Sequence, residues 1–161
     1  MEYNVNDDTK SVEVLMATIL TVAKYISDKL GQMTTMKLQK LCYYSQAWSL
    51  AWDDIPIFEQ DFEAWAKGPV CPELFCKHCG CFTVSTNNFL IDEEYDSLTS
   101  SQKETIDRVI DFYGDKEPAW LSELTHKEPP WVEARNGLPD GVQSHKIITK
   151  ESMQQYYGGL L

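Results

Sequence analysis

Apolar residues recur along the chain with the period of an α-helix over most of its length. Between residues 11 and 30 they return every three or four positions, which predicts a helix that Gly31 ends. The apolar positions of this helix are Leu15, Ile19, Val22, Ile26 and Leu30. A second helix is expected to start at a cap formed by Thr34 or Thr35 and to continue through Trp48, before Pro56 ends the run.

Proline, threonine and glycine predict where the remaining helices begin and end. Thr99 is followed three residues later by Gln102, which is the spacing of a capping box, and Gly114 ends that helix. Other helices are predicted at residues 72–79, 118–125, 130–136 and 149–157, each opened by a proline or a capping threonine.

Two short segments have the character of strands. Residues 58–67 alternate in an extended pattern and residues 82–85 are expected to pair with them. Between the two segments, Gly68, Pro69 and Val70 predict a tight turn. Together the elements predict a mainly α protein, a compact single-domain helical bundle with a short two-stranded β element.

Length and charge narrow the class of protein. The chain has 161 residues without repeats, which predicts one domain over residues 1–161 with an ordered core at about residues 11–158. Its 25 acidic and 14 basic residues give a net charge of −11, so direct binding to nucleic acid is not expected. No apolar run is long enough to span a bilayer, and five cysteines, an odd number, favour the reducing cytoplasm.

The acidic residues are concentrated in one part of the chain. Residues 92–117 contain nine acidic and three basic residues, a net charge of −6. Such a segment either keeps the protein soluble or attracts a basic partner over long range.

Four cysteines lie close together in the sequence, at Cys71, Cys76, Cys79 and Cys81. Cys76 and Cys79 have the spacing of a zinc knuckle, so the four thiols are an alternative zinc site, although a second C-x-x-C pair is missing. A second alternative is thiol catalysis by Cys71, whose pKa a helix N-terminus would lower, with His78 or His126 as base. The simpler interpretation is that these cysteines are small apolar residues, which leaves no catalytic residue, metal or cofactor.

Four motifs, in order, resemble one family. The sequence KLQKLCYYSQAW at residues 37–48 is similar to the opening motif of the Panacea domain family, which includes SocA-like antitoxins and phage-associated GepA-like proteins. FEAWAKGPV at residues 62–70 resembles the family's aromatic and Gly-Pro-Val motif, followed by PELF at residues 72–75. Residues 121–126 and 130–135 resemble its third motif, and residues 148–157 its closing helix.

The resemblance implies an antitoxin of a type II toxin–antitoxin pair that neutralises a toxin by direct protein contact, in some members with delivery to a protease. It implies no catalysis. Alternatives are a phage-encoded adaptor or inhibitor of a host protein, or a small zinc- or thiol-dependent enzyme. The family pattern does not include the four clustered cysteines, and oligomeric state does not follow from it.

The same motifs supply the candidate partner-binding residues. These are Trp65, Gly68, Pro69, Val70, His126 and Trp131. The competing hypothesis is that these residues form the framework of the fold, since buried aromatic residues and Gly-Pro pairs commonly serve packing and backbone geometry.

Overall fold

The structure is a computed structural model that describes residues 16–89 and 97–161. Within these ranges the protein is mainly helical, which confirms the predicted fold class. The helices are α1 (Ile19–Leu30), α2 (Thr35–Asp53), α3 (Pro72–His78), α4 (Ser100–Tyr113), α5 (Pro118–Lys127), α6 (Pro129–Arg135) and α7 (Lys150–Gly158), with a 3-10 turn at Thr86–Phe89. The strands are β1 (Met33–Thr34), β2 (Phe62–Trp65), β3 (Gly68–Val70), β4 (Thr83–Val84) and β5 (Ile147–Ile148).

Helix α2 is the centre of the molecule. It packs against α1, α4, α5 and α7, and 13 of its 19 residues are buried. The buried apolar residues of the seven described helices form one cluster. None of the described helices is long and apolar enough to cross a membrane.

Two buried glutamines on α2 bind the backbone of neighbouring loops. Gln46 accepts from the amide of Ile57 at 2.8 Å and donates to the carbonyl of Phe58 at 2.7 Å. Gln39, two helical turns earlier, accepts from the amide of Cys71 at 2.9 Å and donates to its carbonyl at 3.2 Å. Because each amide group satisfies a backbone donor and a backbone acceptor, these polar side chains are stable in the core.

The predicted caps are confirmed. Thr34 accepts from the amide of Lys37 at 3.1 Å, Thr99 and Gln102 form the capping box, and Thr149 accepts from Ser152. The ends of α5, α6 and α7 differ from the predicted ones by one or two residues.

The first helix starts later than predicted. Residues 16–18 are not helical, and α1 begins at Ile19 because the side chain of Thr18 accepts from the amide of Leu20 and forms a capping box with Thr21. The rest of the predicted segment, including Leu15, lies outside the described residues, as does the acidic run at residues 92–96.

The predicted strand pairing is wrong. Strand β2 pairs with β3 through a tight turn at Ala66 and Lys67, so the Gly68-Pro69-Val70 segment is a strand rather than the turn itself. β5 adds to the other side of β2, while β4 pairs with β1. The local β2–β3 hairpin closes a much shorter loop than a pairing with residues 82–85 would, and Pro69 is tolerated because β3 is an edge strand.

Candidate functional site

The β2–β3 hairpin lies close against α2 at Gly68. This glycine has φ +117°, and a Cβ atom placed on it would lie 2.7 Å from Cε of Lys40 and 2.9 Å from Oγ1 of Thr125. Both the backbone conformation and the space therefore require glycine here. The Lys40 ammonium group donates to the carbonyl of Pro69 at 3.3 Å, which joins the hairpin to α2.

Side chains from α5 and α6 hold the carbonyl groups of the same hairpin. Nε1 of Trp131 donates to the carbonyl of Trp65 at 2.9 Å, and a guanidinium nitrogen of Arg135 donates to that of Ala64 at 2.9 Å. Nε2 of His126 lies 3.0 Å from the carbonyl of Ala66. The position of the hairpin is thus fixed by tertiary contacts.

His126 lies between two carbonyl oxygens. Its Nδ1 is 2.5 Å from the carbonyl of Ser122, while its Nε2 faces Ala66, and its ring packs on Trp131 with centroids 4.0 Å apart. His126 therefore positions the hairpin and α6.

A half-open cavity of about 330 Å³ lies between the hairpin, α2 and α3. We call it the hairpin cavity. Its buried lining residues are Gln39, Lys40, Val70 and His78, whereas Lys67 and Gln143 at its mouth are exposed. Partly buried residues complete the wall; these are Thr35, Met36, Trp65, Ala66 and Phe75. A mainly apolar cavity with a few polar groups is typical of a binding site.

Burial lowers the pKa values of two side chains in the cavity. Lys40 is 1% exposed, and burial lowers its pKa to about 7. Burial also lowers the pKa of His78, and the positive charge of Lys40 acts in the same direction. The amide of Gln39 is oriented by its two bonds to Cys71, so it donates to Nε2 of His78 at 3.0 Å, and the His78 ring is neutral with its proton on Nδ1.

The six candidate partner-binding residues lie around this hairpin but differ in exposure. Trp65 and Val70 line the cavity. Gly68, Pro69 and Trp131 are buried in intramolecular contacts, and His126 is partly buried. Their framework role is visible in these contacts, and a direct contact between any of them and a partner stays a prediction.

The four clustered cysteines do not converge. Cys71 is buried, whereas Cys76, Cys79 and Cys81 are exposed. In the part of the chain that the structure describes, no three or more histidine, cysteine or acidic side chains are grouped so as to hold a metal ion. The alternative zinc site therefore has no geometric support among these residues.

The expectation that a helix N-terminus lowers the pKa of Cys71 is wrong. Cys71 is the N-cap residue of α3, and backbone amides of Leu74 and Glu73 do favour its thiolate. Burial has the larger effect and raises the pKa of this thiol. Its geometry does not support an activated nucleophile.

We expect two classes of thiol in the native protein. An aromatic disulfide reagent at neutral pH should modify three thiols rapidly, Cys76, Cys79 and Cys81, because they are exposed, and Cys42 and Cys71 only on unfolding, because they are buried. Absorbance of the released thiolate counts the groups, and denaturant should bring the count to five. A Cys71→Ala variant should keep the rapid count at three, and a fourth rapid thiol in the unsubstituted protein would contradict the burial of this site.

A buried carboxylate with tyrosine partners lies deeper in the fold. Oε1 of Glu128 accepts from the hydroxyl of Tyr44 at 2.6 Å and from that of Tyr157 at 2.9 Å. Burial raises the pKa of Glu128, while the two hydroxyl donors oppose that shift. The cluster ties the α5–α6 junction to α2 and α7, so we assign it a structural role.

Comparison with known protein families identifies the chain. The model of the family described as Antitoxin SocA-like, Panacea domain matches residues 38–132, more than half of the sequence. The protein belongs to this family. The matched region contains α2 from Leu38 onward, the hairpin and α3 through α5, and therefore all lining residues of the hairpin cavity except Thr35, Met36 and Gln143. Neither the curated proteins nor the solved structures gave a match.

Sequence reasoning missed Gln39 and Lys40 as site residues. Both lie inside the first motif of this Panacea-domain protein, where the apolar period predicts a helix but does not say which polar positions are buried. The sequence did contain a signal for their burial. Gln39 and Lys40 lie between Leu38 and Leu41 on a helix whose apolar residues are not confined to one face, which is typical of a buried helix. Both side chains are buried, because the hairpin and the start of α3 cover this face of the helix.

Proposed function

We propose that this protein is the antitoxin of a type II toxin–antitoxin pair and that it neutralises a protein toxin by direct binding in the cytoplasm, without catalysing a reaction. Membership of the SocA-like family carries the proposal. The exposed thiols of Cys76, Cys79 and Cys81 suit a reducing compartment.

The hairpin cavity is the surface that we assign to toxin recognition. It is half open and mainly apolar, its wall includes Trp65 and Phe75 with ring centroids 5.0 Å apart, and the surrounding backbone is held rigidly by α5 and α6. A preorganised aromatic wall loses little conformational entropy on binding, which favours affinity.

The acidic segment at residues 92–117 is expected to speed the encounter with the toxin rather than to contact it. In its described part, Glu104 pairs with Arg108 at 3.0 Å and Asp107 lies 4.0 Å from the amine of Lys29, so some of the charge is already compensated. The excess over the whole protein, −11, still attracts a basic toxin over long range.

Co-expression tests the proposal. The gene adjacent to the one for this protein is induced alone and together with it, and growth and co-purification are measured in the same cultures. We expect growth arrest by the neighbour alone, relief by this protein, and a copurifying complex. A harmless neighbour, or arrest that this protein does not relieve, would overturn the proposal.

Two tryptophan variants locate the binding surface. Trp65→Ala removes part of the cavity wall, so we expect at least about tenfold weaker toxin binding. Trp120→Ala is the matched control, because Trp120 is 40% exposed on α5 and does not line the cavity. Melting curves of both variants separate lost binding from lost folding, and equal binding by a folded Trp65→Ala protein would place the toxin elsewhere.

A further inference from the structure

The hairpin cavity has a charge opposite to that of the protein as a whole. Two lysines, Lys40 and Lys67, are among its lining residues, and none of those residues is acidic, although the chain carries a net charge of −11. Lys67 is exposed at the mouth, while Lys40 is 1% exposed and so lies at the inner end. An anionic group that enters would therefore meet one cation at the mouth and a second in the interior.

The Lys40 amine has hydrogen-bonding capacity that the described protein does not use. A protonated amine has three N–H donors, and among the described residues Lys40 donates to one acceptor, the carbonyl of Pro69 at 3.3 Å. No ion pair joins it to a carboxylate in this part of the chain, and burial lowers its pKa to about 7. A buried cation without an anion is costly, so an incoming anion gains more here than at the surface.

The other buried polar side chains of the cavity, Gln39 and His78, are already engaged. The amide of Gln39 is bound to the backbone of Cys71 and to Nε2 of His78, and the neutral His78 ring carries no charge that would repel or pair with a ligand. Lys40 is the one cation among the buried lining residues, so the two charges of a phosphate would be left partly uncompensated in the interior, whereas this amine matches the single charge of a carboxylate. The apolar wall formed by Met36, Trp65 and Phe75 suits apolar atoms next to that carboxylate.

We propose that the hairpin cavity binds a carboxylate, the side chain of an acidic residue flanked by apolar residues in the toxin, with Lys40 as its ion-pair partner. The inference rests on the proposed function for the identity of the occupant. At about 330 Å³ the cavity is at the small end of the range of about 300–1,000 Å³ for ligand pockets, which suits a few side chains.

Two blocked peptides probe the site directly. The first is acetyl-Phe-Glu-Phe-amide and the second is acetyl-Phe-Gln-Phe-amide, which has the same shape without the charge. Titration is followed by NMR chemical shifts of labelled protein at pH 6, up to millimolar peptide. We expect the glutamate peptide to shift amides around Trp65 and Phe75 and to bind at least about tenfold more tightly than the glutamine peptide.

Substitution of each of the two lysines of α2 tests whether Lys40 is the residue that binds the carboxylate. Lys40→Met keeps an unbranched side chain that is one atom shorter and removes the amine, so it should lower the affinity for the glutamate peptide to that for the glutamine peptide. Lys37→Met is the matched control, since Lys37 lies three residues earlier on the same helix and does not line the cavity. It should leave the affinities for both peptides unchanged.

The outcomes separate this inference from the proposed function. Absence of glutamate-peptide binding, no preference over glutamine, or full affinity in a folded Lys40→Met protein would overturn the carboxylate site. A protein that relieves toxicity equally well with Lys40→Met would overturn the site and leave the antitoxin proposal standing. If peptide binding depends on Lys40 but the protein relieves no toxicity, the carboxylate site stands and the antitoxin proposal is overturned.

Discussion

Replacing Gly68 with alanine is expected to destabilise the protein by about 2–5 kcal/mol. Two effects add at this position. Gly68 has φ +117°, which residues with a Cβ rarely adopt, and the added methyl group would lie 2.7 Å from Cε of Lys40 and 2.9 Å from Oγ1 of Thr125.

Neither neighbour of Gly68 is free to move away at low cost. The Lys40 side chain is buried and donates to Pro69, and Oγ1 of Thr125 donates to the carbonyl of Ser122 at 2.7 Å. The methyl group would therefore push the hairpin away from α2 and loosen the bonds from Trp131 and Arg135 to its carbonyl groups. Urea unfolding followed by tryptophan fluorescence measures the loss.

Gly80→Ala is the control that separates backbone strain from close packing. Gly80 also has a positive φ, +85°, but nothing lies within 4 Å of a Cβ placed there. Its replacement should cost only the strain, about 1–2 kcal/mol. If the two alanine variants lose equal stability, the close approach of the hairpin to α2 is contradicted.

Replacing Lys40 with methionine is expected to stabilise the folded protein, and the gain should depend on pH. Burial lowers the pKa of Lys40 from an ordinary value of 10.5 to about 7. Below pH 7 the folded protein must hold a charged amine in an apolar environment, at a cost of about 4–5 kcal/mol that methionine removes.

The sign of the pH dependence follows from proton binding. Between pH 7 and pH 10.5 the unfolded chain keeps the Lys40 proton that the folded protein has released, so the contribution of this group to stability rises with pH. The advantage of Lys40→Met over the unsubstituted protein should thus fall by about 2–3 kcal/mol between pH 6 and pH 9.

Denaturant unfolding at the two pH values measures that difference. Tyrosine and cysteine groups titrate in both proteins, so they cancel in the comparison to first order. Lys37→Met, at a partly buried position of the same helix, is the matched control for the change from lysine to methionine. A Lys40→Met advantage that does not change with pH would contradict a desolvated amine at this position.

Local signals predicted most of the helices, because a cap or a glycine stop acts within a few residues. Thr99, Thr149 and one of Thr34 and Thr35 are predicted as caps, and Thr34, Thr99 and Thr149 each accept from a backbone amide of the first turn. The start of α1 was missed by several residues. The apolar period continues upstream of Ile19, and only the hydrogen bonds of Thr18 show that the helix begins there.

Strand pairing was not predictable in the same way. Each strand has two to four residues, so alternation carries little information about which segment lies beside which. β5 joins β2 across more than 80 residues of sequence, and β1 pairs with β4 across about 50 residues. Such pairs depend on how the intervening helices pack, which residues within a short strand do not encode.

The sequence by itself determined most of the helices, the threonine caps of α2, α4 and α7, the excess of negative charge and the order of motifs that places the chain in the SocA-like Panacea family. Each of these depends on residues close in the chain or on composition. Only the tertiary structure decided that Lys40 is buried beside Gly68, that Cys71 is separated from the exposed cysteines, and that the cavity is lined by lysines without a carboxylate. Burial and charge environment arise from residues distant in sequence, and they set the chemistry of a side chain as strongly as its type.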